Sequence, residues 1–180
     1  NSIYDIAERI TNEKQILPTL LDEHYRCHPD IINFSNYRFY GGKLKVMTDE
    51  DKLAFNKKHP KGVAWRDVKG KTIRVKSSYN EDEANEIIRI LESYSKKDLK
   101  EMSFGVVTIF KAQMEKIKYK IDQSKILKDV GITVGTCHKF QGDEKDIILF
   151  SPAVAEGIEP KTVSWINVHL NMTNVAITRA

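Results

Sequence analysis

Phe104-Gly105-Val106-Val107-Thr108-Ile109-Phe110 is an apolar run without alternation. That is the pattern of a strand buried on both faces of a sheet. Downstream, Met114, Ile117, Ile121 and Leu127 predict a helix over residues 111–128. Ile132 to Cys137 and Ile147 to Phe150 read as two further strands. Upstream, Asn80 precedes Glu81-Asp82-Glu83, an N-cap followed by acids in the first turn. Ala84, Ile87, Ile88, Leu91 and Tyr94 share one face of that helix, which is predicted to reach about Lys97. Strands that alternate with helices in this way predict an α/β fold, a mostly parallel sheet with helices on both faces. Ligands of such sheets lie outside the carboxyl ends of the strands.

Working outward, Ile3, Ile6, Ala7 and Ile10 predict a short amphipathic helix over 2–11, and Ile16 to Leu21 a strand. Pro29 suits the first turn of a helix, where its missing N–H costs nothing. That helix carries Ile31, Ile32, Phe34, Tyr37 and Phe39 and ends at Gly41-Gly42. Tyr37, Phe39 and Tyr40, beside those isoleucines, are expected in the core rather than stacked on bases. Residues 47–62 are charged and read as a solvated loop. Val63 to Val68 alternates weakly and predicts a strand. Residues 152–168 read as irregular and 170–180 as helical.

The 180 residues suit one domain. A net charge of +4 is compatible with nucleic acid without requiring it, and the 29 basic residues form no long block. No apolar run approaches the roughly 20 residues of a membrane span, and no signal-peptide core is present, so no membrane partner is expected. Two cysteines make no disulfide framework, which points to an intracellular, cytoplasmic setting. Each is followed by His, at Cys27-His28 and Cys137-His138. Structural zinc ligands come as spaced pairs, so no metal site is expected here. Gly70-Lys71-Thr72 ends like a phosphate-binding loop, but the glycine required five residues earlier is Trp65.

Three segments carry chemistry. The first is Tyr25-Arg26-Cys27-His28-Pro29, followed by Phe39-Tyr40-Gly41-Gly42. The second is Gly135-Thr136-Cys137-His138-Lys139-Phe140-Gln141-Gly142-Asp143-Glu144. The third is Asn174-Val175-Ala176-Ile177-Thr178-Arg179-Ala180. An isolated arginine at a helix C-terminus usually balances the helix dipole, and Arg26 has Asp22 and Glu23 as local partners. Gln-Gly-Asp-Glu taken alone is a turn. In this order, however, the three segments resemble motifs IV, V and VI of superfamily 1 helicases. They look closest to the 1B branch that includes the nonsense-mediated-decay helicases.

The resemblance implies a RecA-like, P-loop-NTPase-like domain without a Walker A of its own. Residues 1–21 would be the tail of a preceding motor domain or a linker. Residues 22–180 would be the second RecA-like domain of the same chain, cut short at its C-terminus with a strand edge left bare. It implies that Arg26 and Arg179 are arginine fingers for the ATP γ-phosphate, in one shared groove at the carboxyl edge of the sheet. Gln141, Gly142 and Glu144 would lie on the nucleotide side, Gly142 because it lets a phosphate approach and Glu144 as a ribose acceptor. Thr136, and Thr108 with Gln113 in a variant Thr-Pro-Tyr-x-x-Gln pattern, would lie along single-stranded DNA or RNA. His138 departs from the frequent Asp and carries no role. ATP and Mg2+ would be held mainly by the N-terminal RecA-like domain, so this chain alone is expected to be inactive. A non-catalytic docking module and an unrelated α/β enzyme stay open as alternatives.

Overall fold

In the computed structural model the chain is described over residues 3–16, 21–53, 61–140 and 142–180. In chain order the helices are α1 (Ile3–Glu13), α2 (Pro29–Phe39), α3 (Glu81–Glu92), α4 (Asp98–Glu101), α5 (Lys111–Gln123), α6 (Pro160–Val168) and α7 (Asn171–Ile177). The strands are β1 (Glu23–His24), β2 (Lys45–Val46), β3 (Thr72–Arg74), β4 (Ser78–Asn80), β5 (Phe104–Thr108), β6 (Thr133–Thr136) and β7 (Ile147–Ser151).

The central sheet has the order β6-β5-β7, all parallel. Phe104 pairs with Ile147, and Thr108 with both Thr136 and Ser151, so strands start and end in step. Every residue of β5 is buried, as the unbroken apolar run requires. Alternate side chains feed two cores. Phe104 and Val106 meet Ala84, Ile87 and Leu91 of α3 and Ile117 and Ile121 of α5. Val107 meets Cys137, Phe140 and Ala176 of α7 on the other face. Gly105 belongs to that second face: a Cβ there would stand 2.8 Å from the Phe140 ring. A third cluster joins Cys27, Ile31 and Ile32 to Ile177 and Ala180, and so packs α2 beside the chain end. The sheet with helices on both faces is thus present.

Several boundaries differ from expectation. α3 stops at Glu92 because Ser95 caps a separate turn: its hydroxyl bonds Asp98 Oδ2 at 2.7 Å and accepts from Asp98 N at 3.1 Å. α5 stops at Gln123 for the same reason, with Ser124 Oγ accepting from Ile126 and Leu127 N at 3.2 Å. Residues 63–68 are not a strand. The strands near them are β3 and β4, an antiparallel hairpin. Within 152–168, Pro160 opens α6 at its first turn. On α2 the buried stripe is Ile31, Ile32, Ser35 and Asn36, while Tyr37 and Tyr40 are exposed rather than in the core. The expected strand Ile16 to Leu21 falls mostly on residues 17–20, outside the described residues.

Candidate functional site

Arg26 follows β1 on a short, rigid link. The Cys27 amide donates to His24 Nε2 at 2.9 Å. His28 caps α2 by accepting from Asp30 N at 3.2 Å, and Pro29 opens the helix. Cys27 is fully buried, and its Sγ bonds the carbonyl of Thr178 at 3.5 Å. The cysteine is therefore a joint between the first and third segments. Burial pushes its thiol up to about 11, against the pull of the Arg26 and Arg179 charges and with a push from Glu144. A thiol so protonated is a packing group, not a nucleophile.

The second segment arrives as follows. β6 ends at Thr136, and a 3-10 turn spans Cys137–Phe140. Gly142 sits at φ +83° with no atom within 4 Å of a would-be Cβ. A side chain there would strain the backbone although the space is open. Asp143 N bonds Phe140 O at 3.2 Å. The Asp143 carboxylate is held below its ordinary range mainly by its hydrogen bond with Lys145, 3.0 Å away. Glu144 then faces Arg26, Oε1 to Nε 2.5 Å. The local partners considered for Arg26 are engaged elsewhere: Asp22 holds Lys45 at 2.8 Å, and Glu23 accepts the Tyr25 hydroxyl.

Arg179 closes the third segment. Its backbone carbonyl accepts from Lys145 N at 3.0 Å, tying the segment to the one carrying Glu144. Its Nε donates to Val175 O at 3.2 Å and its Nη2 to Thr178 Oγ1 at 3.4 Å. In this state the guanidinium caps the C-terminus of α7, the bland role for such an arginine.

The location corrects one expectation. Glu144 and Lys145 directly precede β7, and Asp146 is locked to Ser103 before β5 by bonds of 2.7 and 2.9 Å. Arg26, Glu144 and Arg179 therefore gather at the amino edge of the sheet, not the carboxyl edge. The reason is topological. β6 and β7 are parallel, so the chain must return from the carboxyl end of one to the amino end of the other, and 137–146 makes that return. Thr136 and Thr108 stay at the carboxyl edge, one strand length away, about 13–16 Å at 3.3 Å per residue. Thr136 is half-buried and Thr108 fully buried. Gln141 lies outside the described residues.

A cleft of about 590 Å³ runs along the amino edge, lined by Arg26, Glu144, Lys145, Trp65, Arg66 and Ala180. Its size suits a small-molecule ligand. Trp65 is 87% exposed and Tyr25 63%. Neither was singled out from the sequence as a site residue, and only the adjacency of Tyr25 to Arg26 hinted at one of them. Gln113 is structural here: fully buried, it accepts from Asn80 N at 2.8 Å and donates to Asn80 O at 3.2 Å and Ser151 Oγ at 2.9 Å. Among the described residues no three His, Cys, Asp or Glu side chains gather to hold a metal. No helix among them is long and apolar enough to cross a membrane.

A parallel sheet clothed on both faces, with these three segments meeting at one edge, is the build of a RecA-like helicase domain. A family model described as an AAA domain matches residues 4–180, and the chain belongs to that family. It is similar to Helicase sen1 of Schizosaccharomyces pombe, 30% identical over 176 residues, 89% of this chain and 10% of that protein. It is 31% identical over 170 residues to the 5'-3' DNA helicase ZGRF1 of Mus musculus, 90% of this chain and 9% of that protein. The uncharacterized ATP-dependent helicase MG140 homolog of Mycoplasma pneumoniae is 30% identical over 187 residues, 95% of this chain and 16% of that protein. The chain thus spans between 9% and 16% of the length of these relatives.

Proposed function

We propose that this chain is the second motor domain of an ATP-dependent superfamily 1 helicase or translocase of the 1B branch. One observation carries the reading: Arg26 pairs with Glu144, the neighbouring Cys27 thiol donates to Thr178 O, and Arg179 O accepts from Lys145 N, so three distant segments are tied together at one sheet edge. ATP supplies the phosphoryl group whose cleavage drives the motion. Its triphosphate and Mg2+ would be held mainly by a preceding motor domain, as the resemblance to superfamily 1 helicases implies.

The chain's own residues would act as follows. Glu144 keeps Arg26 extended and neutralised while the cleft is open. On closure a ribose hydroxyl takes the carboxylate, and Arg26 turns to the γ-phosphate. Arg179 leaves Val175 O and Thr178 Oγ1, both weakly held, for the same phosphate. A guanidinium stays protonated and offers fork geometry to phosphate oxygens. Gly142 leaves open space where a side chain would stand. Tyr25 offers an exposed ring beside Arg26 for a base. Thr136, half-buried, belongs to the strand track on the opposite edge, whereas the expected contact from Thr108 is corrected: its side chain is fully buried and its hydroxyl accepts from Phe110 N at 3.4 Å. Closure at one edge would then shift the single strand at the other, a domain closure driven by nucleotide. ZGRF1 is named a 5'-3' DNA helicase, and the same direction is proposed here. A reducing intracellular setting goes with two buried free thiols.

The competing reading is a non-catalytic docking module, favoured by the bonds of Arg179 to its own helix. Strand-stimulated ATPase of the full-length protein separates the two. The motor reading requires turnover that the 180-residue chain alone lacks. Turnover by the isolated chain, or none by the full-length protein with any single strand, overturns it.

A further inference from the structure

Residues 68–79 contain Lys69, Lys71, Arg74 and Lys76 and no acidic residue. They form the β3–β4 hairpin and its approach. The hairpin is bolted to the carboxyl edge of the sheet. Thr72 Oγ1 donates to Ala153 O at 2.9 Å and accepts from Ala155 N at 3.0 Å, just past β7. Asn80 is gripped by Gln113. Ser151 Oγ and Ala153 N both bond Glu83 Oε2, at 2.7 and 2.9 Å. Ala153 is buried at φ +52°, a conformation alanine rarely adopts, which this mesh of bonds holds in place. At the turn, Ser77 Oγ accepts from Ala112 N at 3.3 Å, so the tip rests on the start of α5.

The charges on this mount are not equivalent. Lys71 is paired with Glu156 and Arg74 with Glu159. Lys76, exposed at the tip, has no acidic partner among the described residues. Lys111, exposed at the start of α5 three residues beyond Thr108, reaches only Glu115, at 3.8 Å. Two cations are thus held by a rigid scaffold on the edge that carries Thr108 and Thr136, with little to neutralise them.

We infer that the β3–β4 hairpin extends the strand track, with Lys76 and Lys111 contacting successive phosphates of a single strand that passes Thr136. The inference rests on the nucleic-acid reading above and adds to it a binding surface outside the three motif segments. Phosphate contacts carry no base identity, so DNA and RNA strands are gripped alike. Each contact adds about 0.7 to the magnitude of the slope of log K against log salt. Its loss therefore weakens binding about fivefold at 0.1 M salt relative to 1 M.

The test is fluorescence anisotropy of labelled oligo-dT and oligo-rU on the full-length protein from 0.05 to about 0.5 M salt. Lys76→Ala is expected to lower the slope by about 0.7, and Lys76→Ala with Lys111→Ala by about 1.4, on both strands. Lys76→Arg is expected to keep the wild-type slope. Thermal melts identify any misfolded variant, and Lys76→Glu, expected to weaken binding further still, provides a second substitution. Wild-type slopes in the folded Lys76→Ala and double variants overturn the inference and leave the motor reading standing. A wild-type protein that binds neither strand overturns both.

Discussion

Replacing Gln113 with Leu keeps the volume of a fully buried side chain and removes its amide. Three bonds go: one from Asn80 N, one to Asn80 O and one to Ser151 Oγ. Ser151 keeps Glu83 as a partner, and the Asn80 carbonyl, at the N-cap of α3, keeps the first bond of that helix, but the Asn80 amide is left without a partner in a residue with no exposure. A buried unsatisfied group costs about 1–3 kcal/mol. The expected loss is therefore about 1–3 kcal/mol, a sizeable part of the 5–15 kcal/mol typical of a domain. Urea unfolding of the purified chain followed by circular dichroism measures it as a fall in midpoint at constant slope. A loss under about 1 kcal/mol would refute the reasoning, because the hairpin would then not depend on Gln113 for its mount.

The Arg26–Glu144 pair, with side chains 39% and 57% exposed, is expected to contribute under about 1 kcal/mol to stability in a double-mutant cycle, so that any large functional effect of Arg26→Ala is not a folding effect. A coupling above about 2 kcal/mol would make the pair structural. Glu81, bonded first to Lys120 and then Lys116, and Glu86, bonded first to Arg89, have carboxyls held below the ordinary 4.5. Their stabilisation is present above that value and is lost as pH falls through the lower folded values, so urea midpoints are expected to drop below about pH 4.5; His24, held below its ordinary 6.5 by burial and then by the Arg26 charge, adds an earlier decline that begins as pH falls below 6.5. The Cys27 thiol, raised by burial to about 11, is stabilising below the ordinary 9 and loses that contribution as pH rises towards 11. Native Cys27 is expected to resist iodoacetamide at pH 8, and rapid labelling read by mass spectrometry would contradict its role as a joint.

The sheet was readable because β5 is buried on both faces and leaves no polar residue to alternate. α2 and α3 began where Pro29 and Asn80 place them, since caps are local chemistry. Their ends were harder. Ser95 and Ser124 start new turns with their own hydroxyls, and the apolar spacing runs on through them. The β3–β4 hairpin was missed because its strands are three residues long and its bonds go to Ala153, Ala155 and Gln113, all remote in sequence. Tyr37 fell outside the buried stripe by a rotation of one residue along α2, and Tyr40 lies past the helix end as its C-cap. At the site, the motif segments named Arg26, Glu144 and Arg179, but not the edge where they meet. That depended on the return path of 137–146, which parallel pairing dictates and residue types do not.

Single-turnover cleavage of ATP by the full-length protein on saturating single strand, for Arg26→Ala, Arg179→Ala and the double variant, tests most directly whether both arginines serve one phosphate. Each single change is expected to slow cleavage by about 10³-fold or more. The double change is expected to cost much less than the product of the two, because groups acting on one transition state are not additive. Cleavage at the wild-type rate in either single variant would contradict the account.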